Sequence, residues 1–383
     1  MSLSSPWKKR KASYVHASAP SKDRERKVLI IPYYGPANPY LPLLASALEA
    51  RDIQVSLSRR SGRVSLFRAV RAYGLPDILH LQWQHRFFVP RSGSFWAAVV
   101  STLLFFLQWL VLRGLGVRFV WTVHNLVNHE RVLAWWELPA SRVLARAVDA
   151  IVVHCHAAVP LVAEAFRISD ESIQVIAHGN YMDSYPPART RASARRELAI
   201  PEDLQVFLFF GQIREYKGLP RLLRAFADLP SETARLIIVG EPREETLKQS
   251  LLEEAARDSR VLLTLEHVED DILVEYLSAC DAVVLPYTDS LTSGAAILAA
   301  SCGRPSILPA LGCLKEFPTD AAVMYDPGQS GSLQSAMTRA LGLDLDSMGE
   351  SARRYAERFG WSEIGESWDR LYSSLTDHGA RYD

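Results

Sequence analysis

Short apolar runs alternate with longer stretches of helical spacing along most of this 383-residue chain. Runs of strand length fall at 28–32, 53–58, 78–83, 117–124, 150–154 and 173–178. Their length and apolar content are those of short strands. Helical spacing fills the gaps at 41–50, 66–73, 95–114, 129–148 and 156–166. A series of this β-α-β kind predicts a parallel sheet with helices on both faces. Residues 181–189, with Pro186 and Pro187, read as a linker. The pattern then restarts, with strands at 206–210, 234–239, 261–265, 282–285, 305–308 and 322–325. Helices are expected between them at 218–228, 244–257, 270–279, 293–302, 312–316 and 330–341, and at the end of the chain at 349–359 and 361–375. Two such halves predict a cleft where the carboxyl ends of their strands face each other, the place where open α/β sheets bind ligands.

One segment complicates this picture. Residues 95–112 are apolar over the length of a membrane span. Strand patterns of one sheet flank them on both sides, which argues against crossing a bilayer. Two readings stay open: a helix buried in the core, or one lying at a membrane face. The first 26 residues are polar and basic, with Lys8, Lys9, Arg10 and Lys11 in a row. They lack the apolar stretch of a secretory signal and read as a solvated tail, or as one drawn to an anionic membrane surface. Formal net charge is zero, so bulk electrostatics do not favour nucleic acid. The four cysteines are widely spaced with no zinc-like clustering. Cys280 and Cys302 read as packed, reduced thiols, in keeping with a cytoplasmic protein.

Candidate chemistry concentrates at strand ends. After the strand at 282–285 come Tyr287 and then Leu291-Thr292-Ser293-Gly294, which open an Ala-rich helix. Small residues at a helix start leave main-chain amides uncovered, and such a terminus attracts phosphate. The expected cradle is Thr292 with the amides of Ser293, Gly294 and Ala295. A second loop, Gly211-Gln212-Ile213-Arg214-Glu215-Tyr216-Lys217-Gly218, follows the first strand of the second half. Arg214 and Lys217 are cations suited to a departing diphosphate. Gly240 and Glu241 form a further turn, and His267 is a candidate for the edge of a nucleobase pocket. In the first half, His124 and Asn125 end a strand, with Glu130 beyond them, and His178 ends another. A histidine there can bond a sugar hydroxyl or accept a proton near neutral pH. Gly35, in the first strand-to-helix loop, permits close approach of an acceptor or sugar.

Taken together these motifs resemble the GT-B glycosyltransferases of the broad group 1 (GT4-like) class, over nearly all residues from Lys27 on. The loop 211–218 matches the family's Gly-x-x-x-x-x-Lys-Gly, with Gln212 where Arg is usual. Val239-Gly240-Glu241-Pro242 and Gly303-Arg304-Pro305-Ser306-Ile307 match two more of its turns. The resemblance implies an α/β protein of two Rossmann-like, doubly wound parallel-sheet domains facing a central cleft. The expected units are 1–26 as tail, 27–183 for the acceptor, 184–361 for the nucleotide sugar, and 362–383 returning to the first domain. It also implies a hexosyltransferase that takes a nucleoside-diphosphate sugar and a saccharide or lipid-linked saccharide acceptor, with no cofactor and no metal. The family's two glutamates before Gly303 fall at Ser290 and Leu298 here. Glu316 is the candidate for a replacement carboxylate. Leu291-Thr292-Ser293-Gly294 with Gly312-Cys313-Leu314 resembles bacterial exopolysaccharide enzymes, including GDP-mannose-dependent mannosyltransferases. The missing carboxylates keep a second expectation alive, a non-catalytic protein of this fold that binds sugar nucleotide or glycan.

Overall fold

The computed structural model describes residues 25–35, 38–59, 64–90, 92–128, 130, 132–230 and 232–377. The expected basic tail lies outside the described residues up to residue 24. Two six-stranded sheets, all of whose pairings are parallel, form the two halves. The first contains β1 (Arg26–Ile31), β2 (Ile53–Leu57), β3 (Ile78–Leu81), β4 (Arg118–Thr122), β5 (Ala150–Val153) and β6 (Ile173–Val175), in the order β2-β1-β3-β4-β5-β6. The second contains β7 (Gln205–Phe210), β8 (Ala234–Val239), β9 (Val261–Thr264), β10 (Ala282–Val284), β11 (Ser306–Pro309) and β12 (Ala322–Tyr325), in the order β12-β11-β10-β7-β8-β9. The central strands are buried end to end, which is why they read as unbroken apolar runs.

Each half has its own core. In the second, both faces of β7 and β8 pack under helices such as Leu219–Ala227 and Gly294–Ser301. In the first, Trp121 stacks on Phe166 on one side of the sheet. On the other side, helix Tyr40–Glu49 meets the last helix, Trp361–Thr376, which buries Trp368 and Tyr372 against the first half. A Cβ on Gly365 would lie 2.8 Å from the Ala47 carbonyl oxygen, so this crossing needs a glycine. At the other end of β1, the Arg26 guanidinium bonds Asp369, Ser373 and Thr376 of the same helix.

The apolar segment forms helix Phe95–Gly114, whose outward side is reversed relative to an ordinary surface helix, apolar where that would be polar, while Ala98, Phe105 and Leu112 are buried inward. The side turned inward carries Ser101, Thr102 and Gln108 among its buried residues. Their polar groups are satisfied: Trp136 Nε1 donates to Thr102 Oγ1, Phe67 N donates to Gln108 Oε1, and Gln108 Nε2 donates to the Leu104 carbonyl. The outward side carries Trp96 (74% exposed), Leu103 (66%), Leu107 (54%) and Leu110 (60%), with Trp135 (64%) beside them. Burial therefore accounts for one side of this helix only.

Candidate active site

The second half brings its loops together by close backbone packing. Gly211 ends β7 with φ +104°, and Gly240 ends β8 with φ +153°. A Cβ on Gly240 would stand 2.0 Å from the Gly211 carbonyl oxygen, so no side chain fits there. Ile213 N donates to the Glu241 carbonyl at 3.0 Å and Arg243 N to the Ile213 carbonyl at 3.1 Å. This clamp sets Arg214 beside Arg243. Glu241 contributes its main chain and leaves its side chain in solvent. Lys217 ends a 3-10 turn, Glu215–Lys217, closed by Gly218 at φ +70°. A Cβ on Gly218 would lie 2.2 Å from the Pro286 carbonyl oxygen, which presses the turn onto the carboxyl end of β10.

Lys217 is thereby half-buried over an aromatic face, its Nζ 3.7 Å from the Tyr287 ring centroid and 5.1 Å from that of Tyr216. Burial lowers the pKa of its ammonium, Arg214 adds to that effect and Tyr216 opposes it. Arg214 is half-buried, and its Nε and Nη2 donate to Gln212 Oε1 at 2.9 and 2.6 Å. Burial and the Arg243 charge both disfavour its cationic form. Helix Gly294–Ser301 begins seven residues beyond Tyr287, the ring under Lys217 Nζ. Ser293 caps it by accepting from Ala296 N at 3.3 Å. The amides of Gly294 and Ala295 belong to the first turn and lie outside the helical ladder. Thr292 is half-buried, and its carbonyl accepts from Ser290 Oγ at 3.2 Å.

Across the cleft, four histidines line the carboxyl edge of the first sheet: His80 in β3, His124 after β4, His154 after β5 and His178 beyond β6. All four are buried. His124 stacks on Trp83, with centroids 4.7 Å apart, and its Nε2 lies 2.7 Å from Gln82 Oε1. His154 lies 5.2 Å from His124 and 5.3 Å from His178, and Tyr40 packs against all three. Burial drives every imidazole toward its neutral form, with His80 and His178 lowered to about 3, His154 to about 4 and His124 well below the usual range. Tyr40 Oη and His154 Nε2 have no hydrogen-bond partner among the described residues. His178 connects the two halves: its Nε2 lies 3.5 Å from the Tyr181 hydroxyl, which approaches within 3.2 Å of a Cβ built on Gly294.

Other expected residues are placed differently. Glu130 crosses the cleft to within 3.6 Å of both Arg214 and Arg243. Glu316 does not stand in for the missing glutamates at the cradle; its carboxylate accepts from Ala157 N of the first half at 2.5 Å. Leu298 is buried in the second core. His267 follows the edge strand β9, is largely exposed and lies 4.0 Å from Glu269. Gly35 has φ +109° beside the Arg59 side chain, and Asn125 is half-buried. A cavity of about 310 Å³ opens at the amino ends of β7 and β10, lined by Arg191, Arg195, Asp281 and Asp346. It lies at the edge opposite the cleft, and its charges are already paired.

Residues 205–342, which hold the diphosphate candidates, match the family described as group 1 glycosyl transferases. The GDP-mannose:glycolipid 4-beta-D-mannosyltransferase of Xanthomonas campestris is 30% identical over 71% of this chain and 70% of its own length. The chain belongs to the group 1 glycosyltransferases. The sucrose-phosphate synthase of Thermosynechococcus elongatus shares the fold of this glycosyltransferase, with a TM-score of 0.74 at 19% identity over 93% of this chain and 100% of that one. So does Anabaena HepE solved with UDP-glucose, with a TM-score of 0.69 at 18% identity over 91% and 99%. The expected GT-B architecture is thus present in this glycosyltransferase, a sugar-nucleotide-dependent enzyme acting on a saccharide acceptor. Sequence reasoning did not select Tyr40, Gln82, Trp83, Tyr181 or Arg243. Their positions just past strand ends were the available signal, and only the folded contacts distinguish them from ordinary loop residues.

Proposed function

We propose that this enzyme transfers mannose from GDP-mannose to a lipid-linked saccharide at an anionic membrane surface on the cytoplasmic side. The observation that carries the donor assignment is half-buried Lys217 packed on Tyr287, with Arg214 in the same loop and the open amides of Gly294 and Ala295 at the helix start that follows Tyr287 in the chain. When the bond from the anomeric carbon to the β-phosphate oxygen breaks, negative charge grows on the leaving diphosphate. Two cations and a helix N-terminus favour that state over the bound donor. They do what a bound cation does elsewhere, so the reaction is metal-independent in this reading. Gln212, Gly211, Gly240 and the Glu241 main chain shape the floor, Tyr287, Thr292 and Ser293 the wall, and His267 the nucleobase edge.

Facing them, His124, Asn125 and His178 orient the sugar or acceptor, with Gly35 admitting it. Tyr40 Oη and His154 Nε2 are the polar atoms still open to a hydroxyl. The neutral state of the histidines suits uncharged hydroxyls better than phosphate. GDP-mannose follows from the Xanthomonas relative's substrate and from the Leu291-Thr292-Ser293-Gly294 motif. The units 27–183 and 184–361 divide these tasks between acceptor and donor. A membrane surface is supported by the reversed helix Phe95–Gly114 and by residues 53–128, which hold nine arginines and one acidic residue, Asp77.

The test is thermal shift and turnover with a panel of nucleoside diphosphates and their sugars, in excess chelator. GDP and GDP-mannose should stabilise the protein, and transfer should persist without divalent ion. A preference for another nucleoside diphosphate overturns the donor, and activity restored only by a divalent ion overturns metal independence. Binding with neither transfer nor slow donor hydrolysis would favour the non-catalytic alternative.

A further inference from the structure

We propose that the disulfide between Cys155 and Cys313 is a redox latch that holds the cleft closed, and that a dithiol reductant opens it for turnover. The regulation rests on the donor assignment above. Cys155 lies two residues past β5 in the first half, and Cys313 lies in the 3-10 turn Gly312–Glu316 that follows β11 in the second. The bond therefore ties the two carboxyl edges that border the cleft.

Two neighbouring contacts show what the bond controls. Glu316 accepts from Ala157 N at 2.5 Å, so the turn docks on the start of helix Ala158–Phe166. Cys313 N donates to the Leu291 carbonyl at 2.8 Å, and Gly312, at φ +42°, rests on the Ser290 and Leu291 carbonyl oxygens with no room for a Cβ. The Leu291 side chain is buried in the core of the first half. Ser293 and Gly294, the start of the diphosphate cradle, are two and three residues further on. The covalent link thus reaches the cradle through one main-chain hydrogen bond. In this proposal donor entry and nucleoside-diphosphate release need the halves to part, and such steps often limit turnover.

Cys313 is half-buried, whereas Cys155 is only 5% exposed, so the reductant's thiolate attacks Cys313 Sγ. The sulfur–sulfur bond breaks and Cys155 leaves as a thiolate that takes a proton. The second thiol of the reductant then attacks the mixed disulfide and releases Cys313. Two electrons and two protons pass from the dithiol, which becomes a cyclic disulfide. Cys280 and Cys302 remain thiols throughout.

The experiment compares the full chain before and after a dithiol such as dithiothreitol, with thiols counted by alkylation in denaturant. Two thiols are expected before and four after. Reduction should speed nucleotide release and turnover by roughly tenfold, and X-ray scattering should show a wider distribution of dimensions. Cys155→Ser and Cys313→Ser should each run at the reduced rate without reductant, while Cys302→Ser keeps the wild-type response. Equal rates and equal scattering in the two redox states overturn the latch, as do four thiols under mild oxidation or slower turnover on reduction. A change in scattering with no donor turned over in either state would sink the functional reading and leave the latch standing.

Discussion

Lys217 is held in place by an aromatic face, with no carboxylate in ion-pair range among the described residues. A half-buried ammonium in that setting gains when an anion arrives, and the amides of Gly294 and Ala295 favour an anion as well. Lys217→Ala and Arg214→Ala should each lower kcat/KM by about 100-fold or more, with the thermal midpoint nearly unchanged. Retention of full rate by both, across all donors tried, would remove them from the chemistry. The four histidines make a separate prediction. Each has a folded pKa below its ordinary value near 6.5, chiefly through burial, so unfolding takes up protons as the pH falls. Their contribution to stability is present above about 6.5 and is lost progressively toward about 4 for His154 and about 3 for His80 and His178. Thermal unfolding from pH 7 to 5 should show a falling midpoint, and His178→Gln should flatten that slope. A midpoint that rises on acidification would contradict the burial of these rings.

At the scale of elements, the strands were the most legible part of the sequence. Strands buried on both faces read as near-continuous apolar runs, so the stretches 28–31, 206–210 and 236–239 in β1, β7 and β8 stand out without any knowledge of their neighbours. Helix starts were legible where chemistry and capping coincide, as at Ser293. The side presented by helix Phe95–Gly114 was not. Its length and composition allow either a core or a surface helix, and only the folded contacts show that Thr102 and Gln108 face inward with Phe105 and Leu112 while Leu103, Leu107 and Leu110 face outward. The histidine cluster was hidden for a related reason. His124, His154 and His178 each follow a separate strand, and parallel pairing, which sequence patterns do not specify, puts their rings next to one another. For the reversed helix, Leu103→Glu, Leu107→Glu and Leu110→Glu in one protein should weaken co-sedimentation with anionic vesicles by more than about tenfold. The same changes should move the thermal midpoint by less than about 4 °C, since these side chains are exposed. Unchanged vesicle binding would assign the apolar side to some other partner.

On the scale of the whole molecule, the contacts between the two halves include the Cys155–Cys313 bond, the buried Leu291 side chain and a polar contact at Glu130. Glu130 reaches from the first half to Arg214 and Arg243 of the second, at 3.6 Å from each. In the proposed reading Arg214 receives the leaving diphosphate, so the donor and Glu130 would compete for its guanidinium. The competition is modest, because Glu130 is half in solvent and exposed pairs of this kind contribute about 0–1 kcal/mol. Glu130→Gln keeps the shape and removes the charge. It should therefore tighten nucleoside-diphosphate binding by up to about fivefold at low salt. The advantage should shrink as ionic strength rises, because salt screens the exposed pair in the parent protein. If Glu130 instead orients the acceptor, the same substitution would raise the acceptor KM and leave nucleotide affinity unchanged. Calorimetry with the nucleotide alone, at low and high salt, separates these two outcomes without an acceptor in the cell.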